Sequence, residues 1–197
     1  MKNEINRIAG RLVKAYNTNT VINPIPVKYC KNINLANKLR KLCEDQIKDE
    51  TIGIKAGGTG IQALKKLKEK EPFTAKVFKK RLVKSGQKVK INQHTKGIEV
   101  EVYYFIKKSF FDFKGKVTKS NVTKFIKFMG PCFEIVGFRQ RNKKFTYLGD
   151  ICGDFGFNIK FVVGRKTKFK KLNLNNLKTS LVSKKNEVKV SGNTNIV

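Results

Sequence analysis

The chain has no tryptophan, one histidine, and only 14 acidic residues against 44 lysines and arginines in 197 positions. Each shortage excludes something. A single histidine, His94, cannot build the paired-imidazole ligand sets of zinc and copper centres, and it reads as a surface or turn residue. The four cysteines, Cys30, Cys43, Cys132 and Cys152, form no Cys-x-x-Cys pair and no zinc-type spacing. Cys132 and Cys152 sit among apolar residues, so buried free thiols are expected. That suits a reducing compartment, cytoplasmic or an organellar matrix. No apolar run approaches the roughly 18 residues of a membrane span. The N-terminus lacks the apolar stretch and cleavage site of a secretory signal, so secretion is not expected.

What is present argues for a folded chain. Hydrophobic residues make up 40%, and 15 Phe with 5 Tyr is too many aromatics for a disordered segment. The length suits one domain with a sizeable core, or two small ones. The formal net charge of +30 is the unusual number. Self-repulsion of that size is relieved by a polyanion, most often nucleic acid. It is also what an AT-rich genome favours, since Lys, Asn, Ile and Phe are all abundant.

Apolar residues at helical spacing predict a helix over 4–17, with Ile5, Ile8, Ala9, Leu12, Val13 and Tyr16 on one face. Pro24 and Pro26 impose an extended linker. A second amphipathic helix is expected over 33–49, capped by Asn32. Thr51–Lys55 alternates as a strand and enters a glycine turn, and 61–69 reads as a short basic helix. From about residue 75 the pattern is β, through AKVFKKRLV, QKVKIN and GIEVEVYYFI. A helix is expected over 118–129, broken by Gly130-Pro131. CFEIVGF reads as a strand, 146–160 as a helix, and FVVG as a buried strand ending at Gly164. The basic connection 165–178 leads to a hairpin turning at Asn186-Glu187.

The chemistry is concentrated in few acids. Glu99 and Glu101 lie two apart in a strand, so both side chains project from one face. Like charges that close repel unless a cation lies between them. A solvent-facing edge strand neutralised by lysines is the alternative on the pair alone. Glu134, flanked by apolar residues in Pro131–Val136, needs a partner if buried. Three carboxylates suit a hard cation such as magnesium or manganese.

At these residues a resemblance becomes specific. Glu99-x-Glu101 after Gly97-Ile98, then Pro131-x-x-Glu134-Ile135-Val136, resembles the metal site of the fumarylacetoacetate hydrolase superfamily, in particular its 2-keto-4-pentenoate hydratase branch. Other segments match in order: Arg7–Tyr16 with Ile22–Ile25, the helix from Ala36 to Gln46, Thr51–Lys55 as a Gly-x-Lys element, Tyr147–Asp154 as an Asp-x-x-x-Asp helix followed by Phe161–Gly164, and the hairpin at Asn186–Gly192. The resemblance implies a mixed α/β fold: N-terminal helices over 1–50, then an incomplete catalytic domain over 51–197 built on a coiled β-sheet barrel and truncated at its C-terminus. It implies magnesium or manganese at Glu99, Glu101 and Glu134, chelated by a small 2-oxo acid, with Lys55 as the catalytic acid–base group. Hydration and decarboxylation are both known in the family.

The departures are as informative. Family chains run longer, Phe155 stands where an Asn often follows the second aspartate, and relatives are near neutral or acidic. These features fit a second function class: a recruited, non-catalytic fold acting as a basic RNA-binding or structural subunit of a nucleoprotein assembly such as a ribosome. They fit an incomplete gene equally. Arg165, Lys166, Lys168, Lys170 and Lys171 are the candidate nucleic-acid contacts, with the run Lys76–Lys90. A homo-oligomer or a subunit of a larger complex is expected. A membrane-surface protein using its basic helices is a third option.

Overall fold

The computed structural model describes residues 2–91, 94–173, 177–182 and 187–191. Helix α1 (Lys2–Thr18) presents its apolar stripe to α3 (Ile33–Glu44), with the one-turn helix α2 (Lys28–Lys31) beside them. Ile5, Ile8, Ala9 and Leu12 interlock with Leu39 and Cys43, all buried. Each such aliphatic side chain contributes about 1.5–3 kcal/mol by leaving water. Asn32 caps α3, its Oδ1 accepting from the backbone N–H groups of Asn34 and Leu35 at 3.0 and 3.1 Å. The helix stops at Glu44 rather than 49, because Glu44 turns inward. Its carboxylate takes Arg40 at 2.6 Å and the backbone N–H of Lys76 at 2.9 Å. The proline linker is extended and packs Ile25 into the same core, with Ile22 N–H donating to Arg139 O and Ile25 N–H to the Gln140 side chain.

Strand β1 (Thr51–Gly57) leads into α4 (Ile61–Leu67) and returns as β2 (Phe73–Phe78), which pairs antiparallel with β1. Phe78 and Phe155 join the α1 core, so that core draws on residues far beyond position 50. A second sheet follows. Strand β3 (Leu82–Lys84) is short, and residues 87–91 form no strand. QKVKIN was expected to be one, but its described residues pair with no strand, and Ile91 stays 64% exposed. Strands β4 (Thr95–Ile106) and β5 (Ile126–Gly137) make the longest ladder, and with β6 (Asn158–Val163) the sheet order is β3-β6-β5-β4.

The helix expected over 118–129 is absent. Val122–Phe125 form one 3-10 turn, and Ile126 already opens β5. Tertiary pairing wins here: Phe128 lies opposite Phe105, and Ile126 opposite Ile106. Gly130 and Pro131 therefore fall inside a strand, opposite Tyr103 and Val102. A proline is tolerated in this inner strand for a local reason. Pro131 O accepts from Gly164 N–H just where β6 ends, so the absent proline N–H points into the gap before β7 (Thr167–Lys168) arrives.

The helix expected over 146–160 shrinks to α5 (Leu148–Cys152) and a 3-10 turn at Phe155–Phe157, before β6 (Asn158–Val163). Gly149 lets α5 approach α2 closely: a Cβ there would sit 2.1 Å from Cys30 O. Asp150 accepts from the N–H groups of Thr146 and Tyr147 and pairs with Lys143 at 2.7 Å. Asp154 pairs with buried Arg139 at 3.2 Å. Strands β8 (Lys178–Val182) and β9 (Glu187–Ser191) form an antiparallel hairpin. The turn residue Asn186 lies outside the described residues. All four cysteines are buried and free. No helix among the described residues is long and apolar enough to cross a membrane.

Candidate metal centre

The β4–β5 register sets Glu99 directly opposite Glu134, and Glu101 opposite Cys132. Strand alternation then puts all three carboxylates on one face. Their ligand oxygens lie within 4.8 Å of one another. Glu134 is 2% exposed, whereas Glu99 and Glu101 open to solvent. The site is thus anchored at its floor and accessible at its rim.

Among the described residues, Lys55 supplies the only ion pair to the cluster. From β1 it reaches across to the second sheet, and its Nζ donates to both Glu134 oxygens, at 2.8 and 3.1 Å. Its ammonium also lies 5.7 Å from the centre of the Phe73 ring on β2. The 3-10 turn after α5 closes over its stem. Gly156, at φ +67°, makes that possible, because a Cβ there would meet Ala75 Cβ at 2.6 Å and Lys55 Cε at 3.2 Å. So the turn that ends α5 early also shapes the lysine's path.

Burial pushes the Glu134 carboxyl up to about 7. Lys55 opposes that rise, and the charges of Glu99 and Glu101 add to it. Glu101 is raised too, first by desolvation and then by Glu99, although its side chain is exposed by area. Cys132 is buried beneath them. Desolvation first, then Glu134 and Glu101, lift its thiol to about 11, and a soft sulfur is a poor donor to a hard divalent cation.

An all-oxygen donor set is what hard divalent cations take. Ligand oxygens lie about 2.1 Å from magnesium and about 2.4 Å from calcium, so two of them can be at most roughly 4.2 or 4.8 Å apart. A spread within 4.8 Å is compatible with calcium once Lys55 yields. Magnesium needs a small inward rotation, which the exposed Glu99 or Glu101 side chain is free to make. The residues present therefore fit a divalent ion, and Lys55 must yield at least one Glu134 oxygen to it.

The five candidate nucleic-acid contacts lie elsewhere. Arg165, Lys166, Lys168, Lys170 and Lys171 are all exposed, along the chain leaving β6 through β7. The Lys76–Lys90 run is partly neutralised, with Lys76 paired to Asp45 at 3.0 Å and Lys79 to Glu50 at 2.6 Å. His94 sits in a half-buried turn before β4. Sequence reasoning passed over Cys132, Phe73 and Gly156. Cys132 was within reach, being two residues before Glu134 on the same strand. The roles of Phe73 and Gly156 depend on sheet-to-sheet contacts that no local pattern encodes.

No family model matches the chain, and no curated protein does. Solved structures do match. Against 4-oxalocrotonate decarboxylase from Pseudomonas putida G7 complexed with magnesium and adipate, the TM-score is 0.68 at 15% identity, covering 89% of this chain and 68% of that one. Against the same enzyme complexed with calcium and acetate, the TM-score is 0.70 at 16% identity, with coverages of 89% and 67%. The chain therefore has the mixed α/β fold of this decarboxylase and spans about two thirds of its length.

Proposed function

We propose that the chain is a divalent-metal-dependent lyase acting on a small 2-oxo acid, with Glu99, Glu101 and Glu134 as metal ligands and Lys55 as the acid–base residue. One observation carries the reading: three carboxylates from an otherwise acid-poor chain converge on one face, with a single buried ammonium against the deepest of them. The decarboxylase structures that share the fold hold magnesium or calcium, with adipate or acetate, which supports the same class of ion and a small acidic ligand.

Magnesium or manganese, when bound, would supply Lewis-acid charge at the keto oxygen of the substrate. The rest falls to this chain's residues. Glu134, packed at the floor, fixes the position of the site. Glu99 and Glu101, at the rim, can adjust to the ion and leave room for substrate oxygens. Lys55 keeps Glu134 oriented, and once one carboxylate oxygen is given up, its ammonium is available to deliver or hold a proton near the substrate. Hydration and decarboxylation share this requirement.

The test is twofold. Titration calorimetry with magnesium and manganese should show one site per chain, abolished by Glu101→Gln. A panel of small 2-oxo acids should show metal-dependent water addition or carbon dioxide release, lost in Lys55→Ala while metal binding persists. Bound metal with no turnover across the panel would remove the lyase assignment, and no metal binding would remove the site.

A further inference from the structure

The same sheet face continues past the carboxylates and changes character. Beyond Glu101 and Cys132 come Tyr103 opposite Gly130, then Phe105 opposite Phe128, with Lys168 of β7 next to Phe128. That is four residues along each strand, or about 13 Å. The Phe105 ring is 57% exposed and meets Phe128 edge to face at 6.2 Å. Two ammonium groups lie over the Phe128 ring, Lys127 at 5.4 Å and Lys166 at 5.1 Å. Residues 105–128 carry seven lysines and one acid, Asp112, and residues 165–171 carry five cations and no acid. No ion pair among the described residues engages any of these cations.

Biased composition alone would not sort the charges this way. Near the N-terminal helices, exposed acids are matched: Glu4 with Lys28, Asp45 with Lys76, Glu50 with Lys79. Between residues 102 and 182, Glu134, Asp150 and Asp154 are buried, which leaves Asp112 as the sole exposed acid. Cations without an ion pair lie there over Phe128, whose ring meets the exposed Phe105. A lipid surface or an acidic protein would answer the charge. A flat ring flanked by ammonium groups is matched more fully by a nucleobase with its phosphates.

We infer that this end of the sheet is a binding platform for single-stranded nucleic acid, with a base stacked on Phe105 and phosphates held by Lys127, Lys166 and Lys168. The platform is independent of the metal site and of the lyase assignment. Stacking supplies an affinity that tolerates any base, while the lysines supply its salt dependence.

Fluorescence anisotropy with labelled 12-nucleotide oligouridine and oligothymidine, in EDTA and across a salt series, tests it. Both strands should bind, more tightly than a duplex of the same length. Phe105→Leu should weaken binding about tenfold with an unchanged salt slope, since the leucine keeps apolar bulk and loses the stacking face. The triple variant Lys127→Gln, Lys166→Gln, Lys168→Gln should lower the slope by about two. Arg7→Gln, Arg11→Gln, Lys14→Gln, three exposed cations on α1, should change it far less. Equal losses from the two triple variants would show diffuse charge and overturn the platform. So would indifference to Phe105→Leu, a duplex bound as tightly as the single strands, or tighter binding to phosphatidylserine vesicles or polyglutamate. Circular dichroism on each variant separates these outcomes from unfolding.

Discussion

The two ends of the β4–β5 ladder share one face and carry opposite charge. At one end three glutamates cluster and the deepest holds a buried ammonium, and at the other two lysines lie over one of a pair of phenylalanines with no anion among them. Tyr103 lies between. Its ring crosses Gly130, where a Cβ would come within 2.7 Å of it, and its hydroxyl donates to Gly164 O at 3.3 Å. The difference teaches where charge matters to folding. Lys55 and Glu134 are nearly dry, so each depends on the other. The lysines of the far end stand in water and interact weakly, through a screened field.

Breaking the acid end should cost most. Glu134→Ala leaves the Lys55 ammonium buried without its anion, a loss of about 3–5 kcal/mol. Urea denaturation measures it. Adding Lys55→Met should restore much of that loss, because the orphaned charge is gone. If the double variant is as unstable as the two single variants summed, the pair is not coupled.

The pH dependence sharpens the same point. Glu134 stands at about 7 in the folded protein against 4.5 as its ordinary value. A raised carboxyl contributes stability that is fully present below the ordinary value and lost as pH rises from there through about 7. Roughly 3 kcal/mol is at stake. The unfolding midpoint of wild type should therefore fall relative to that of Glu134→Gln as pH climbs from 4 to 8. Parallel profiles would show that Glu134 ionises freely.

A divalent ion reverses that trend, since it binds the ionised carboxylates. Magnesium at about 100 times its dissociation constant should stabilise the fold by about 2.7 kcal/mol. The gain should be largest near pH 8 and fade below about 7, as Glu134 takes up its proton. Thermal shifts at pH 6 and 8 measure it, and Glu101→Gln should erase the gain at both. A gain independent of pH would place the ion elsewhere.

How legible was this in the sequence? The α1 and α3 helices follow from apolar spacing, and Asn32 from its place before the stripe, because both are local patterns. The carboxylates were findable since strand alternation and spacing are local too. What failed was decided across strands. Residues 118–129 have a helical look, yet pairing of Phe128 with Phe105 and Ile126 with Ile106 makes the stretch from Ile126 on a strand. The early stop of α5 comes at Asp154, which leaves the helical region, and in the positive-φ run Phe155–Phe157, where Gly156 fits the turn to Lys55 and Ala75. The platform was half visible: the Arg165–Lys171 run stood out by charge, but Phe105, Phe128 and Lys127 join it only through the β4–β5–β7 register.

The smallest effect should come from the basic end, and its sign is the opposite of the first. Lys127, Lys166 and Lys168 crowd one patch with no acid to offset them, so each raises the free energy of the others when folded. Replacing all three by glutamine should leave the stability unchanged or raise it by a few tenths of a kcal/mol at about 10 mM salt, where the screening length is about 30 Å. At about 1 M salt that length falls to about 3 Å, and the gain should vanish. The Lys55–Glu134 pair, shielded from solvent ions, should keep its coupling across the same range. Unfolding curves of the triple variant at the two salt concentrations measure the difference. A triple variant that is destabilised at low salt would mean these lysines hold the strands together, and the contrast between a folding end and a binding end would fail.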